Sequence, residues 1–124
     1  MDLSKKILVV DDDDLVANMY IRALKLKGFE TKIVKNGEEA LSVALEYKPD
    51  LIILDAMMPE ISGFDVLDIL KNTMQTIDTP VIMLTALTGI DDIEKAKSRG
   101  ADEFLEKSST DIDTIISHVT KLLS

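Results

Sequence analysis

The sequence predicts an α/β domain built on a five-stranded parallel sheet, and three observations carry that prediction. Short β-branched apolar runs of strand length recur along the chain, as in Ile7-Leu8-Val9-Val10, Leu51-Ile52-Ile53-Leu54 and Val81-Ile82-Met83-Leu84. Between them lie segments whose apolar residues follow the 3.6-residue period of a half-buried helix. The runs also end alike: Val10 leads into Asp11 and Asp12, Leu54 into Asp55, Leu84 into Thr85, and Phe104-Leu105-Glu106 into Lys107. Alternating strands and helices imply right-handed crossovers with helices on both faces of the sheet, and the expected strand order is 2-1-3-4-5. In such a sheet the carboxyl ends of the strands form the ligand crevice, so three carboxylates, a hydroxyl and an amine converge there.

The elements follow in order. After the first strand, Asp13 and Asp14 favour the positive end of the first helix, each by about 0.3–1 kcal/mol. Val16, Met19, Tyr20, Ala23 and Leu24 have the spacing of its buried face, and Gly28 supplies the stop. Residues 31–34 form the second strand. Asn36 with Glu39 resembles a capping box, with Ala40, Val43, Ala44 and Tyr47 as the stripe behind it and Pro49-Asp50 as punctuation before the third strand. Ser62 is the expected cap of a helix carrying Val66, Leu67 and Leu70, and Thr79-Pro80 introduces the fourth strand. Thr88 is the expected cap of a fourth helix around Ile90, Ile93 and Ala96, ended by Gly100. Its apolar stripe is the smallest, so it is expected to be the most mobile element. Ser108, Ser109 and Thr110 are expected to serve the start of the last helix, whose apolar face is Ile112, Ile115, Ile116, Val119, Leu122 and Leu123. The six methionines are expected to fill core gaps, with Met57 and Met58 beside Asp55, and His118 to occupy a solvated helix position.

A chain of 124 residues suits one compact domain, here spanning 1–124. Its apolar fraction of 46% and charged fraction of 30% fit a globular protein. No apolar stretch has the length of a bilayer span, and the N-terminus is unlike a signal peptide, so a cytoplasmic location is expected. The absence of cysteine removes disulfides and thiolate catalysis. A formal charge of -9 repels nucleic-acid phosphates, so direct nucleic-acid binding is not expected; taken as a whole the charge is accounted for by solubility.

Two adjacent carboxylates at one strand end repel unless a cation binds. Mg2+ suits Asp11 and Asp12, because it takes one or two carboxylates, keeps waters and accepts phosphate oxygens. Calcium does not, since the glycine and terminal glutamate of an EF-hand loop are missing. Asp55 is either a strand-end carboxylate satisfied by Lys107 or, beside Mg2+, a nucleophile toward a phosphoryl group. On the second reading Lys107 pairs with a phosphoryl oxygen and Thr85 donates a hydrogen bond.

Val9-Val10-Asp11-Asp12, Leu54-Asp55-Ala56-Met57-Met58-Pro59, Ser62-Gly63, Leu84-Thr85-Ala86 and Gly100-Ala101-Asp102-Glu103-Phe104-Leu105-Glu106-Lys107 stand in the order and spacing of one family. Through them essentially the whole chain resembles the receiver domain of two-component response regulators. The resemblance implies a flavodoxin-like doubly wound (βα)5 fold and a phosphoacceptor signalling domain that acts on itself rather than as an enzyme. It implies Asp55 as phosphoacceptor, Asp12 as direct Mg2+ ligand, Asp11 as a ligand acting largely through water, and the backbone carbonyl of Met57 as the third protein ligand. It implies Thr85 as the switch hydroxyl, Phe104 as the aromatic that turns behind it, and Lys107 as the lysine of the motif. The implied partners are a sensor histidine kinase or histidine phosphotransfer protein, and an effector or second copy on the face of the fourth helix, fifth strand and fifth helix, with neither nucleic acid nor membrane.

One departure is Ser108, where the family usually has a proline in a cis bond. A cis bond before a non-proline residue costs about 2.5–4 kcal/mol, so a trans Lys107–Ser108 bond is expected. Met57 and Leu87, two residues beyond Asp55 and Thr85, are apolar and orient no attacking water, so slow self-dephosphorylation is expected. Two other classes compete. A phosphate-independent pseudo-receiver would use the same fold as an interaction module. A haloacid-dehalogenase-type phosphatase would use Asp11-Asp12-Asp13 as its D-x-D, with Asp11 as nucleophile, but leaves Asp55 and Lys107 unexplained.

Overall fold

The computed structural model describes residues 4–86 and 89–124. Its elements are β1 (Lys6–Val10), α1 (Asp14–Leu26), β2 (Glu30–Val34), α2 (Gly37–Tyr47), β3 (Leu51–Leu54), α3 (Gly63–Lys71), β4 (Val81–Thr85), α4 (Ile90–Ser98), β5 (Glu103–Glu106) and α5 (Ile112–Leu123). All strand pairs are parallel and the order is β2-β1-β3-β4-β5, as expected. The two-residue period of a strand splits the core between the faces. Leu8, Val10, Ile52, Leu54, Val81 and Met83 face α2, α3 and α4, where Ala40, Ala44, Val66, Leu67, Leu70 and Ala96 pack. Ile7, Val9, Leu51, Ile53, Ile82 and Leu84 face the opposite way, toward Ala17, Tyr20 and Leu24 of α1 and Ile115 and Val119 of α5. The three inner strands are buried on both sides, which is why they read as unbroken apolar runs.

Helix starts depart from expectation in informative ways. Asp13 caps α1, accepting from the amides of Leu15 and Val16, while Asp14 in the first turn lies 2.7 Å from the Lys35 ammonium. The capping box at α2 is half formed. Asn36 accepts the Glu39 amide at 2.8 Å, but the Glu39 carboxylate accepts from the amide of Lys35 at 3.4 Å, one residue earlier than the motif requires. Ser62 caps α3 as expected, with its hydroxyl oxygen accepting the Asp65 amide at 3.2 Å. Thr88 lies outside the described residues; the cap position of α4 is Gly89, which makes no side-chain cap bond. At α5 the expected Ser108–Thr110 segment is corrected to Asp111, whose carboxylate accepts the Thr114 amide at 2.8 Å. A carboxylate is the better partner for a helix N-terminus, and Ser109 instead donates to Glu106 at 2.6 Å.

Packing corrects three further expectations. The buried face of α1 is Ala17, Tyr20 and Leu24, whereas Met19 is 55% exposed beside Leu15 and Leu26, because α1 carries more apolar residues than its one buried face accommodates. Of the described methionines only Met58 and Met83 are buried; Met19, Met57 and Met74 face solvent. His118 is half-buried rather than solvated, its Nδ1 3.3 Å from a Glu103 carboxylate oxygen on β5. In α4 only Ala96 is buried, in line with its small apolar stripe. No peptide bond among the described residues is cis, so Lys107–Ser108 is trans.

Candidate functional site

The site forms where β1, β3, β4 and β5 end. The Asp11 amide donates to Val34 O at 3.1 Å and the Asp55 amide to Val10 O at 3.0 Å, so both residues are held by the last rungs of the sheet. Each carboxylate is then turned by the chain just beyond it. The Asp13 amide donates to Asp11 Oδ1 at 2.9 Å, and the Met57 amide to Asp55 Oδ1 at 3.1 Å. The other oxygens face one cation: Lys107 Nζ lies 2.8 Å from Asp11 Oδ2 and 3.2 Å from Asp55 Oδ2. Lys107 comes immediately after β5, and its amide donates to Thr85 O at 2.9 Å, which ties it to the end of β4. Thr85 is fully buried. Asp12 is exposed at the rim, yet Asp11, Asp12 and Asp55 offer oxygens that all lie within 4.8 Å of one another.

Asp11 is 2% and Asp55 5% exposed, so water does little to relieve their charge. Burial pushes the Asp55 carboxyl above its usual range; the Met57 amide and the Lys107 ammonium oppose the rise, and Asp11 adds to it. Burial works against the Lys107 charge, but the bond to Asp11 and the charge of Asp55 outweigh it and hold the ammonium above its ordinary value. Three clustered carboxylates thus face one protonated lysine, which touches two of them. The shortfall of positive charge and the all-oxygen donor set fit a small hard divalent cation such as Mg2+.

The structure brings Asp11, Asp12, Asp55 and Lys107 together, with Thr85 alongside through its carbonyl. Met57 projects a side chain that is 53% exposed, while its backbone is bound to Asp55. Phe104 sits on β5 opposite Met83, half-buried against the α2–α4 side of the core. Leu87 lies outside the described residues.

Two residues of the site escape sequence reasoning. Tyr20 reads as a core residue of α1, and it is buried, but its hydroxyl feels the site: burial raises its pKa, Lys107 opposes the rise, and Asp11, Asp55 and Asp13 add to it. Nothing in the period of α1 separates such a tyrosine from a plain core aromatic. Gly63 is the first residue of α3 and packs against the backbone of Asp55. Its signal was available, since glycine is about 0.8–1 kcal/mol less favourable than alanine in a helix and often marks a close approach.

Comparison with known proteins agrees with this geometry. The response regulator receiver domain model matches residues 7–120. The polar-differentiation response regulator DivK of Brucella anthropi is 33% identical over 105 residues, covering 85% of this chain and 85% of that protein. The DNA-binding dual master transcriptional regulator RpaA of Synechocystis is 35% identical over 118 residues, covering 95% of this chain. The chain spans about half the length of RpaA and of the mycobacterial DNA-binding response regulator MtrA, 48% and 45%. Among solved structures, chemotaxis protein CheY4 of Vibrio cholerae superposes with a TM-score of 0.91 at 30% identity, covering 98% of this chain and all of that one. The Francisella response regulator 1452 receiver domain gives 0.87 at 36% identity, with 97% of each chain covered.

Proposed function

Because the chain belongs to the response regulator receiver family of two-component systems, we propose that Asp55 accepts a phosphoryl group from a phosphohistidine with the help of Mg2+. The observation that carries this reading is the convergence of Asp11, Asp12, Asp55 and Lys107 at the ends of three parallel strands. Asp11, Asp12, Asp55 and the backbone carbonyl of Met57 would hold Mg2+. When bound, the ion supplies positive charge to the phosphoryl oxygens during in-line transfer.

The residues of the chain do the rest. A carboxylate oxygen of Asp55 forms the new O–P bond as the N–P bond of the phosphohistidine breaks, and the leaving imidazole takes up a proton. The Met57 amide keeps the Asp55 carboxylate oriented. Lys107 exchanges its contact with Asp55 for a phosphoryl oxygen while Asp11 still anchors it. The Thr85 hydroxyl donates to the phosphoryl group, and Phe104 turns inward behind it. These shifts alter the surface of α4, β5 and α5, which meets an effector or a second copy of the chain. The chain acts on itself as a signalling domain, spanning 1–124, in the cytoplasm. No helix among the described residues is long and apolar enough to cross a membrane. The DNA binding named for RpaA and MtrA is said of those proteins; the net charge of -9 argues against direct nucleic-acid contact by these 124 residues.

Incubation with acetyl phosphate or phosphoramidate and Mg2+, read by intact mass, tests the proposal. A phosphate-sized gain that is lost in Asp55→Asn is expected. Intact Mg2+ binding without any gain would mean an interaction module that no longer uses phosphate. Turnover of a generic phosphate ester that Asp11→Asn abolishes and Asp55→Asn spares would point to a phosphatase.

A further inference from the structure

At the first position of α3, a Cβ built on Gly63 would lie 2.1 Å from the carbonyl oxygen of Asp55 and 2.6 Å from Cα of Ala56. Both are backbone atoms, so no side-chain rotation makes room. The Gly63 amide donates to Ala56 O at 3.0 Å, and from the other side the Asp55 amide donates to Val10 O at 3.0 Å. The Asp55 peptide is therefore gripped between β1 and the first turn of α3. No other described glycine is placed this way. Gly37 faces side-chain atoms of Val66 and Ile61, Gly100 faces Lys71, Gly89 faces Asp92, and Gly28 faces open space.

We propose that Gly63 is a positioning residue for phosphoryl transfer: its missing side chain lets α3 lie on the backbone of Asp55 and sets that carboxylate against Asp11, Asp12 and Lys107. The inference rests on the reading of Asp55 as phosphoacceptor. Ordinary contact begins at 3.4 Å, so Gly63→Ala requires more than 1 Å of relative movement between α3 and the Asp55 peptide. Asp11 and Lys107 belong to other strand ends and do not follow that movement. A misplacement of about 1 Å costs on the order of a hundredfold in rate. Even when α3 absorbs half of the movement, about a tenfold loss remains.

The test uses the full chain with phosphoramidate and Mg2+. The rate constant is read by intact mass at a temperature where circular dichroism shows each variant folded, and Mg2+ binding is measured by calorimetry with the metal alone. Gly100→Ala is the control. It strains a φ of +100° and crowds Lys71 at the far end of the sheet, so it lowers Tm without reaching the site. Gly63→Ala is expected to phosphorylate about tenfold or more slowly and to bind Mg2+ more weakly, while Gly100→Ala keeps the wild-type rate and affinity. Equal rates and affinities in the two variants would overturn the proposal. If Gly63→Ala does not fold, Ser62→Ala removes the cap bond to the Asp65 amide and loosens the same turn without adding atoms. It should slow phosphorylation several-fold, and an unchanged rate counts against the role of Gly63. A mass gain that survives Asp55→Asn removes the phosphoacceptor reading and this inference with it. A gain lost in Asp55→Asn, with Gly63→Ala at wild-type rate, removes the inference alone.

Discussion

Lys107→Met tests the electrostatics of the site most directly. The ammonium is 2.8 Å from Asp11 Oδ2 and 3.2 Å from Asp55 Oδ2, with 20% of the lysine side chain exposed and 3% and 6% of the two aspartates. At an effective dielectric of about 20 these contacts amount to a gross attraction of about 6 and 5 kcal/mol, most of which desolvation offsets. Breaking a buried pair typically costs about 3–5 kcal/mol. Here the cost has a ceiling near 4 kcal/mol at pH 7, because one carboxylate can take up a proton across about three pKa units instead. A loss of about 3 kcal/mol corresponds to a fall in Tm of about 10 °C for a domain of this size. Without Lys107 the Asp55 carboxyl, already raised by burial, rises further above its unfolded value, so the penalty is absent below about pH 4 and develops as pH rises toward neutrality. Mg2+ replaces the missing charge, so it should raise the Tm of the variant by more than that of the wild type. Calorimetric melts between pH 3 and pH 7, with and without Mg2+, read all three quantities. An unchanged Tm at pH 7, or a deficit that grows toward acid, would refute the reasoning.

Other perturbations have equally definite outcomes. Mg2+ at a hundredfold its Kd should stabilise the wild type by about 2.7 kcal/mol, and Asp12→Ala should remove most of that increment, as thermal melts will show. The Asp111 carboxyl is held below its usual range by its bonds to Thr114. A depressed carboxyl pKa stabilises the fold above the unfolded value near 4, and the gain is lost as pH falls through the folded value, so Asp111→Ala should lower Tm at pH 7 but not at the lowest pH at which the fold persists. Lys48 ends α2 with φ 53°. Lys48→Gly should relieve about 1–2 kcal/mol of left-handed strain against about 0.5–1 kcal/mol of chain entropy, moving the urea midpoint up with an unchanged slope. Met57→Asn combined with Leu87→Glu should speed decay of the phosphorylated protein, measured by loss of the phosphate mass; an unaltered half-life would mean that water is oriented by other groups.

The alternation of strands with helices was legible because apolar runs and periods report burial directly. Ile7-Leu8-Val9-Val10 and Leu51-Ile52-Ile53-Leu54 are continuous because both faces of those strands are covered. The placement of Asp11, Asp55, Thr85 and Lys107 followed from the same topology, since a parallel sheet carries whatever ends its strands to one edge. Helix faces were less legible. Residues 15–26 contain more apolar side chains than α1 can bury, and only packing against β1, β3 and α5 decides that Ala17 goes inward and Met19 outward. Caps failed similarly at α5, where serine, threonine and aspartate all stand within a few residues and the local geometry selects Asp111.

By itself, then, the sequence determined the α/β class, the family resemblance and the residues delivered to the strand ends, because each rests on short motifs and periods that a few residues carry. Tertiary structure alone decided that the Lys107 ammonium touches Asp11 as well as Asp55, the nearer of the two in sequence being 52 residues away, that Tyr20 lies within reach of their charge, and that Gly63 lies on the Asp55 backbone. Those facts are distances between segments remote in the chain. No periodicity encodes them, because they are set by how the layers close on one another.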